Sequence, residues 1–500
     1  MKLDVHFSGS FFTNLEVRDI EAAPNGSGPT PVEKISIQSV RLDYSIPMLV
    51  RHGVGELLRS YEIHNADLVF LALPSQSKEE KEQKKSLAED LNNLLGQPAL
   101  YSDRVLIDHF NITVRSYTDV TEVKDVQALF DPWKPGYLRI AKIKVPGLPP
   151  WENLDGATSY TLRNLSVTNL KFSPELVIDE FDFDASQRAE AKGSMLLAAR
   201  AFGGTARLSI TGTRLNKKGQ NLAKSYNTTL KVDVAGIDVH AAGAYFKAKN
   251  VPPVTLAWLT TTFAGEPESP QTWKGDLAAR VEALDLGKVR VDAAELDSVF
   301  HDGQAQVTSG SVELGRNTLR LTGSAALPAS INDFSKTNGQ AKFQLDAPDL
   351  AGTTAALMPG QPITGALAGN GDLTLSNGTA SADAVISATQ VGNQQFGIAS
   401  AKLNLQSAKP LGGASSAGNS INAALTGLTS HITAELAGLR ANTVSVDSAA
   451  ADVETNGDRI TLHKLSVTRG ESHVDLQATY RLPPSGKDFL HTAIDAQFSV

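Results

Sequence analysis

One alternating pattern recurs three times in this 500-residue chain, and it constrains the fold more than any other feature. TLRLTGSAALP (Thr318 to Pro328), running on to AKFQLDAPDL (Ala341 to Leu350), returns without a gap 155 residues later. The later copy reads HVDLQATYRLP (His473 to Pro483) and runs on to AQFSV (Ala496 to Val500). Leu319 aligns with Val474, Leu321 with Leu476, Leu327 with Leu482, Pro328 with Pro483, Phe334 with Phe489 and Phe343 with Phe498. A looser copy lies 111 residues upstream, where RLSITGTRL (Arg207 to Leu215) leads to LKVDVAGIDV (Leu230 to Val239). Apolar and polar residues alternate in all three, the period of a strand with one buried face. A supersecondary unit repeated in this way stacks on its neighbours rather than wrapping around one compact core.

Composition agrees with a thin layer. Hydrophobic residues make up 41% of the chain but aromatics only 6%, and large compact cores lean on aromatic side chains for buried area. A net charge of −8 leaves no basic footprint for nucleic acid. The absence of cysteine excludes disulfides, thiolate metal sites and a cysteine nucleophile. It also fits a compartment where thiols are avoided, such as a bacterial periplasm, although cytosolic proteins can lack cysteine too. No apolar run reaches the roughly 18 residues that a spanning helix needs. MKLDVHFSGSFF has one lysine and alternates at once, unlike a signal peptide. DAQFSV ends where the earlier copy continues, so further chain is expected beyond Val500.

The prolines of PGLPPW (Pro146 to Trp151) divide the chain into an N-terminal strand and helix segment, 1–145, and a repeated strand region, 146–500. In the first part, EKISIQSVRLDYSI reads as two strands, or one with a bulge near Ser39. Pro47 to Tyr61 has helical spacing, EIHNADLVFLAL is a strand, Lys78 to Gln97 is a polar helix with a leucine stripe, and VLIDHFNITVRSY returns to strand. In the second part, Asn377-Gly378 and Asn456-Gly457 mark hairpins. Short helices are expected from Ile237 and from Pro348, with Asp238 and Asp349 as caps or first-turn residues, and new strands begin near Gly275 and Gly371. Leu411 to Ser420 reads as a loop. Roughly 25 strands at ~4.8 Å spacing, pairing with sequential neighbours, predict an elongated antiparallel sheet that curls through its own twist. The fold class is therefore all-β with a few short helices, a curled, U-shaped β-groove built from repeats.

No catalytic constellation emerges. The ten histidines form neither H-x-H nor HExxH. Asp108-His109 and His301-Asp302 are adjacent, but neighbours on a strand face opposite ways. Asp182 and Asp184 share a strand face and are the one pair that a glycan-acting β-helix enzyme could use. A solvated face opposite Phe181 and Phe183 explains them more simply. No nucleophile elbow, P-loop or dinucleotide-binding glycine pattern is present, so neither catalytic, cofactor nor metal residues are expected.

The N-terminal FSGSFFTNLEVRDIEA, ISIQSVRLDYSI and GELLRSYEIHNADLVFLAL, together with the later L-x-L-x-G…LP units and NGDRITLHKLSVTRG (Asn456 to Gly470), resemble the AsmA-like family of bacterial envelope proteins, the translocation and assembly module type. The resemblance implies a long sheet with an apolar groove, held in the periplasm by an inner-membrane anchor that this chain lacks. It further implies inner and outer membranes, or their proteins, as partners at the ends, and phospholipid conducted or shielded in the groove or assistance to outer-membrane assembly. Leu319, Leu321, Leu373, Leu375, Leu462, Val474 and Leu476 are the candidate groove lining. The competing reading is a structural or adhesive β-solenoid with a closed core and no lipid transport.

Overall fold

The computed structural model describes residues 2–10, 12–24, 31–52, 58–71, 102–116, 119–161, 164–184, 186, 192–214, 226–267, 269–287, 289–357, 362–410, 427–482 and 493–500. Among the described residues the chain is all-β with three short α-helices, and it divides into two units, Met1–Pro267 and Glu268–Val500. The first holds fourteen strands: β1 (Lys2–Ser10), β2 (Asn14–Ala23), β3 (Val32–Tyr44), β4 (Leu58–Leu71), β5 (Arg104–Arg115), β6 (Val120–Phe130), β7 (Gly136–Lys144), β8 (Trp151–Thr161), β9 (Asn164–Ser173), β10 (Leu176–Asp184), β11 (Lys192–Ala201), β12 (Gly204–Arg214), β13 (Tyr226–Asp238) and β14 (Thr255–Gly265). The second holds thirteen: β15 (Lys274–Asp285), β16 (Arg290–His301), β17 (Gln304–Leu314), β18 (Asn317–Ala326), β19 (Gly339–Ala347), β20 (Thr364–Ser376), β21 (Thr379–Gly392), β22 (Phe396–Pro410), β23 (Thr429–Ala441), β24 (Val444–Asn456), β25 (Arg459–Arg469), β26 (Ser472–Arg481) and β27 (Ile494–Ser499).

Within each unit every strand pairs with the next, so the chain meanders as a sheet that stays open among the described residues. The expected antiparallel pairing holds with one exception. Strands β4 and β5 are parallel, Ser60 opposite Arg104 and Leu71 opposite Arg115. A parallel pair needs a crossover of a dozen or more residues. The connection from Leu71 to Arg104 supplies it, and the helix expected over Lys78 to Gln97 lies there, outside the described residues. The loop expected over Leu411 to Ser420 also lies outside them. The turn at 145–150 joins the paired strands β7 and β8 inside the first unit.

The helices follow their local signals, with one correction. Helix α1 spans only Ile46–His52, and Leu58 to Tyr61 belong to strand β4, because Tyr61 and Leu58 pair with Leu42 and Tyr44. Over Leu58 to Tyr61 ladder pairing overrides the helical spacing. Helices α2 (Val239–Tyr245) and α3 (Leu350–Leu357) sit where expected. Asp238 accepts a hydrogen bond from the amide of Ala241 at 2.9 Å, and Asp349 accepts one from Gly352 at 3.3 Å, the same cap three residues ahead in both. Asn317, on the edge of β18, ties α3 down further. Its side chain donates to the Asp349 carbonyl at 2.6 Å and to Thr353 Oγ1 at 2.7 Å, and accepts from the Asp349 amide at 3.0 Å.

Asn377-Gly378 forms the expected two-residue hairpin, both residues with positive φ (50° and 74°) and Ser376 paired with Thr379. At the second site the turn is displaced by one residue. Asn456 pairs with Arg459, so Gly457 and Asp458 make the loop. EKISIQSVRLDY falls in the single strand β3.

The repeat runs further than the sequence alignment. Strands β15 to β19 correspond to β23 to β27 at the same 155-residue offset, strand for strand. Leu321 pairs with Phe343, and Leu476 with Phe498. The bulge between Val307 and Gly310 on β17 recurs between Leu462 and Leu465 on β25. Asp292 accepts from the turn amide of Gly315 at 2.5 Å, and Asp447 from that of Gly470 at 2.7 Å. Mid-strand Ala283 and Gly438 both adopt positive φ, 55° and 61°. The upstream copy is looser in structure too: Leu208 pairs with Val232, two residues out of step with Leu319 and Leu345.

Asn317→Ala removes three hydrogen bonds from a residue that is only 8% exposed. Urea unfolding should show a loss of about 1–3 kcal/mol from the unpaired Asp349 backbone groups. An unchanged midpoint would mean that α3 is held by its cap alone.

Candidate functional site

In a ladder, side chains directly opposite each other point to the same face. In the second unit this generates rows that cross all thirteen strands. One row runs Ala279, Leu296, Gly310, Leu321, Phe343, Gly371, Ala384, Leu405, Ile432, Val453, Leu462, Ala478, Ala496. The adjoining row runs Val281, Ala294, Val312, Leu319, Leu345, Gly369, Ile386, Leu403, Ala434, Ala451, Leu465, Leu476, Phe498. Neither contains a polar side chain. Gly371 faces Phe343, where an added Cβ would lie 2.6 Å from the Phe343 ring and 2.5 Å from the Asp383 carbonyl oxygen, so only glycine fits there.

All seven candidate residues fall on this one face. Leu321 and Leu462 are in the first row, and Leu319 and Leu476 in the second. Leu373 lies in a third row with Gly323, Ala341 and Ala382. Leu375 lies beyond it, and Val474 on the opposite flank in line with Val467, Ala449 and Leu436. Sequence reasoning missed Leu296, Phe343, Leu345, Ile386, Leu403, Leu405 and Ile432, which the same alternation would have found. The other face is polar: Arg280, Glu295, Ser311, Arg320, Gln344 and Asn370 stand in one row, with Arg280 bonded to Glu295 at 3.0 Å.

No Leu, Ile, Val or Phe of the two central apolar rows is buried. Leu319 is 39% exposed, Leu296 37% and Phe498 76%. The row members that are buried are the small ones, Gly310, Gly371 and Ala384. A cavity of about 560 Å³ lies on this face, with Val307, Leu321, Leu373, Leu375 and Ala382 in its lining and Lys409 on its margin. The first unit is packed differently. There Leu154, Val167 and Leu170 are buried among Leu138, Ile140, Trp151, Phe172 and Phe181. Tyr245 of α2 accepts a hydrogen bond from the Trp151 indole and stacks edge-on with Phe202 and Phe246.

The adjacent acid–histidine pairs need a correction. Asp108 and His109 do not diverge as strand neighbours should, because His109 adopts positive φ, 55°, and breaks the alternation. His109 Nε2 lies 3.5 Å from Asp108 and its Nδ1 2.6 Å from Asp125, while His64 Nδ1 reaches Asp108 from the next strand at 3.4 Å. Asp19, Asn65, Asp125, Asn153 and Asn169 share the positive φ, so a seam of left-handed residues crosses the first unit. Each such bulge bends its strand and increases local twist. Asp182 and Asp184 stay on β10 opposite Ser166 and Asn164. Among the described residues no group of three or more His, Asp or Glu side chains is placed to hold a metal ion, and no helix is long and apolar enough to cross a membrane. No family model, curated protein or solved structure matches the chain.

Asp125 holds the His109 imidazole above its ordinary range, with Asp108 adding to the effect, while Gln127 and His109 hold the Asp125 carboxyl below its own. The His109 contribution is complete below the ordinary imidazole value and fades as pH rises through the raised one. The Asp125 contribution is complete above the ordinary carboxylate value and fades as pH falls through the lowered one. The pair is thus strongest in mildly acidic solution. Imidazole chemical shifts should titrate at higher pH for His109 than for a free imidazole. Asp125→Asn should bring that midpoint down, and an unmoved midpoint would contradict the pairing.

Proposed function

We propose that the apolar face of the second unit carries phospholipid acyl chains, conducting or shielding them between the membranes of a bacterial envelope. The observation that carries this reading is the pair of unbroken apolar rows whose large side chains stay partly open to solvent. A core sealed by a second layer would bury them, and contiguous exposed apolar surface of this extent marks a place where something apolar docks. Each acyl methylene moved from water onto such a surface gains about 0.8 kcal/mol, so a chain lying along a row is held by many small equal contributions. Because the rows repeat strand after strand, a tail can shift along them with little change in energy, and transfer needs no catalytic group. The charged head would stay at the wet rim. The resemblance to AsmA-like envelope proteins supports a periplasmic setting and membrane partners at the ends.

Purified chain should release phospholipid on organic extraction, and native mass spectrometry should show the corresponding adducts. Replacing Leu319, Leu321 and Leu476 together with Asp should abolish the adducts while circular dichroism keeps its strand signal, since all three are already partly exposed. Absence of lipid from the unmodified chain in a host that makes it would favour the closed solenoid instead.

A further inference from the structure

Asparagine followed by glycine occurs five times, at Asn25, Asn338, Asn370, Asn377 and Asn456. Asn25-Gly26 lies outside the described residues, and the fold treats the other four differently. Such a step can close on itself. The glycine nitrogen attacks the asparagine carboxamide carbon, and with no Cβ beside it the approach is unhindered. A folded chain permits this where the carboxamide is unbound and the glycine nitrogen is held by no ladder or turn bond. At Asn456 the nitrogen of Gly457 donates to the Leu428 carbonyl at 3.0 Å. At Asn370 both residues stand in mid-strand, Asn370 opposite Gln344 and Val385, and the buried Gly371 opposite Phe343 and Ala384. At Asn338 the carboxamide oxygen accepts from the Asn377 amide at 2.9 Å, and Gly339 lies in β19 opposite Ala325 and Leu375. Of the four, Asn377 alone meets both conditions. Its side chain is exposed, and neither its carboxamide nor the Gly378 nitrogen makes a hydrogen bond among the described residues. Nothing lies within 4 Å of where a Gly378 side chain would start.

We infer that Asn377 is a site of spontaneous covalent modification, converting through a cyclic imide to isoaspartate and aspartate and so unlocking the β20–β21 turn. The Gly378 nitrogen forms a bond to Asn377 Cγ and the Cγ–Nδ2 bond breaks. Nδ2 leaves as ammonia, taking the proton given up by the glycine nitrogen. Solvent water then opens the imide ring. Attack at Cγ gives aspartate. Attack at the main-chain carbonyl carbon gives isoaspartate, in which the chain runs through the side-chain carbon. The turn is built from two residues at positive φ and closed by the Ser376–Thr379 pair, a geometry that belongs to a loop of that length. Isoaspartate inserts an extra main-chain carbon and adds a carboxylate there, so the pair no longer closes. Leu375 and Ala380, the next pair inward, line the 560 Å³ cavity on the apolar face. The modification therefore loosens one margin of that cavity, and the inference stands independently of what the face carries.

Incubation of the folded full chain in mildly alkaline buffer, followed by peptide mapping with fragmentation that separates isoaspartate from aspartate, tests this. Asn377 should convert about tenfold faster than Asn456, whose glycine nitrogen must first shed one hydrogen bond. It should convert about a hundredfold faster than Asn370, whose ladder must open on both sides, and Asn338 should lag as well. The same incubation in unfolding concentrations of urea should bring the four sites to comparable rates, because unfolding frees every carboxamide and every glycine nitrogen. In hydrogen exchange, the isoaspartate-bearing fraction should lose about tenfold protection at the Ser376–Thr379 pair relative to fresh chain. Equal rates at Asn377 and Asn456 in the folded chain overturn the inference. So does a difference that persists in urea, which would place the cause in local sequence and not in the fold. Aspartate without isoaspartate would refute the imide route, and undiminished protection at the closing pair would refute the unlocking.

Discussion

Everything in this protein depends on keeping the two-residue strand period in phase from one ladder to the next. A slip of one residue would send an entire strand's apolar set to the wrong face. The second unit avoids this across thirteen strands by placing its irregularities in matched positions. The bulge on β17 is answered by Leu319 and Leu321 of β18 regaining register, and the same device on β25 lets Leu462 and Leu465 join different rows without leaving the face. In the first unit the alternation slips within strands as well. There a residue in the left-handed conformation takes up the extra length, as at Asn65 and His109. Bulges are thus the means by which register is conserved, and the bending they produce is a by-product of the same correction.

Much of this was legible before any coordinates. The alternation of TLRLTGSAALP and HVDLQATYRLP specified strand type, facing and repeat, and Asp238 and Asp349 marked the helix starts, because these signals are local and rest on backbone chemistry that neighbours do not override. Three features were hidden for physical reasons. The parallel β4–β5 pair depends on where a long connection returns the chain, which no local pattern records. The left-handed seam leaves only a trace, an Asn, Asp or His at a phase slip such as IHNA or IDHF, residue types that tolerate this conformation but are poor in strands. The match between Ala283 and Gly438 leaves none, since the two share a backbone angle and not a side chain.

The two units use similar alternation to different ends. In the first, aromatic side chains and α2 cover part of the apolar surface, and Leu154 is almost wholly enclosed. In the second, alanines and glycines sit deep while leucines stand proud of them, which gives a smooth surface with few bulky obstacles. Such a surface would hold an apolar chain weakly at each point and evenly along its length.

The exact 155-residue correspondence has a consequence for how chains of this type can lengthen or shorten. Lys274 and Thr429 open equivalent strands, and the turns that follow them are braced by the same aspartate-to-glycine bonds. Excision of the intervening block would exchange one strand edge for its counterpart and leave every remaining ladder intact. Duplication of it would insert eight strands at a stroke. Strand number is therefore set in whole modules, and a gene encoding this fold could change it through in-frame recombination rather than by gradual change at many positions.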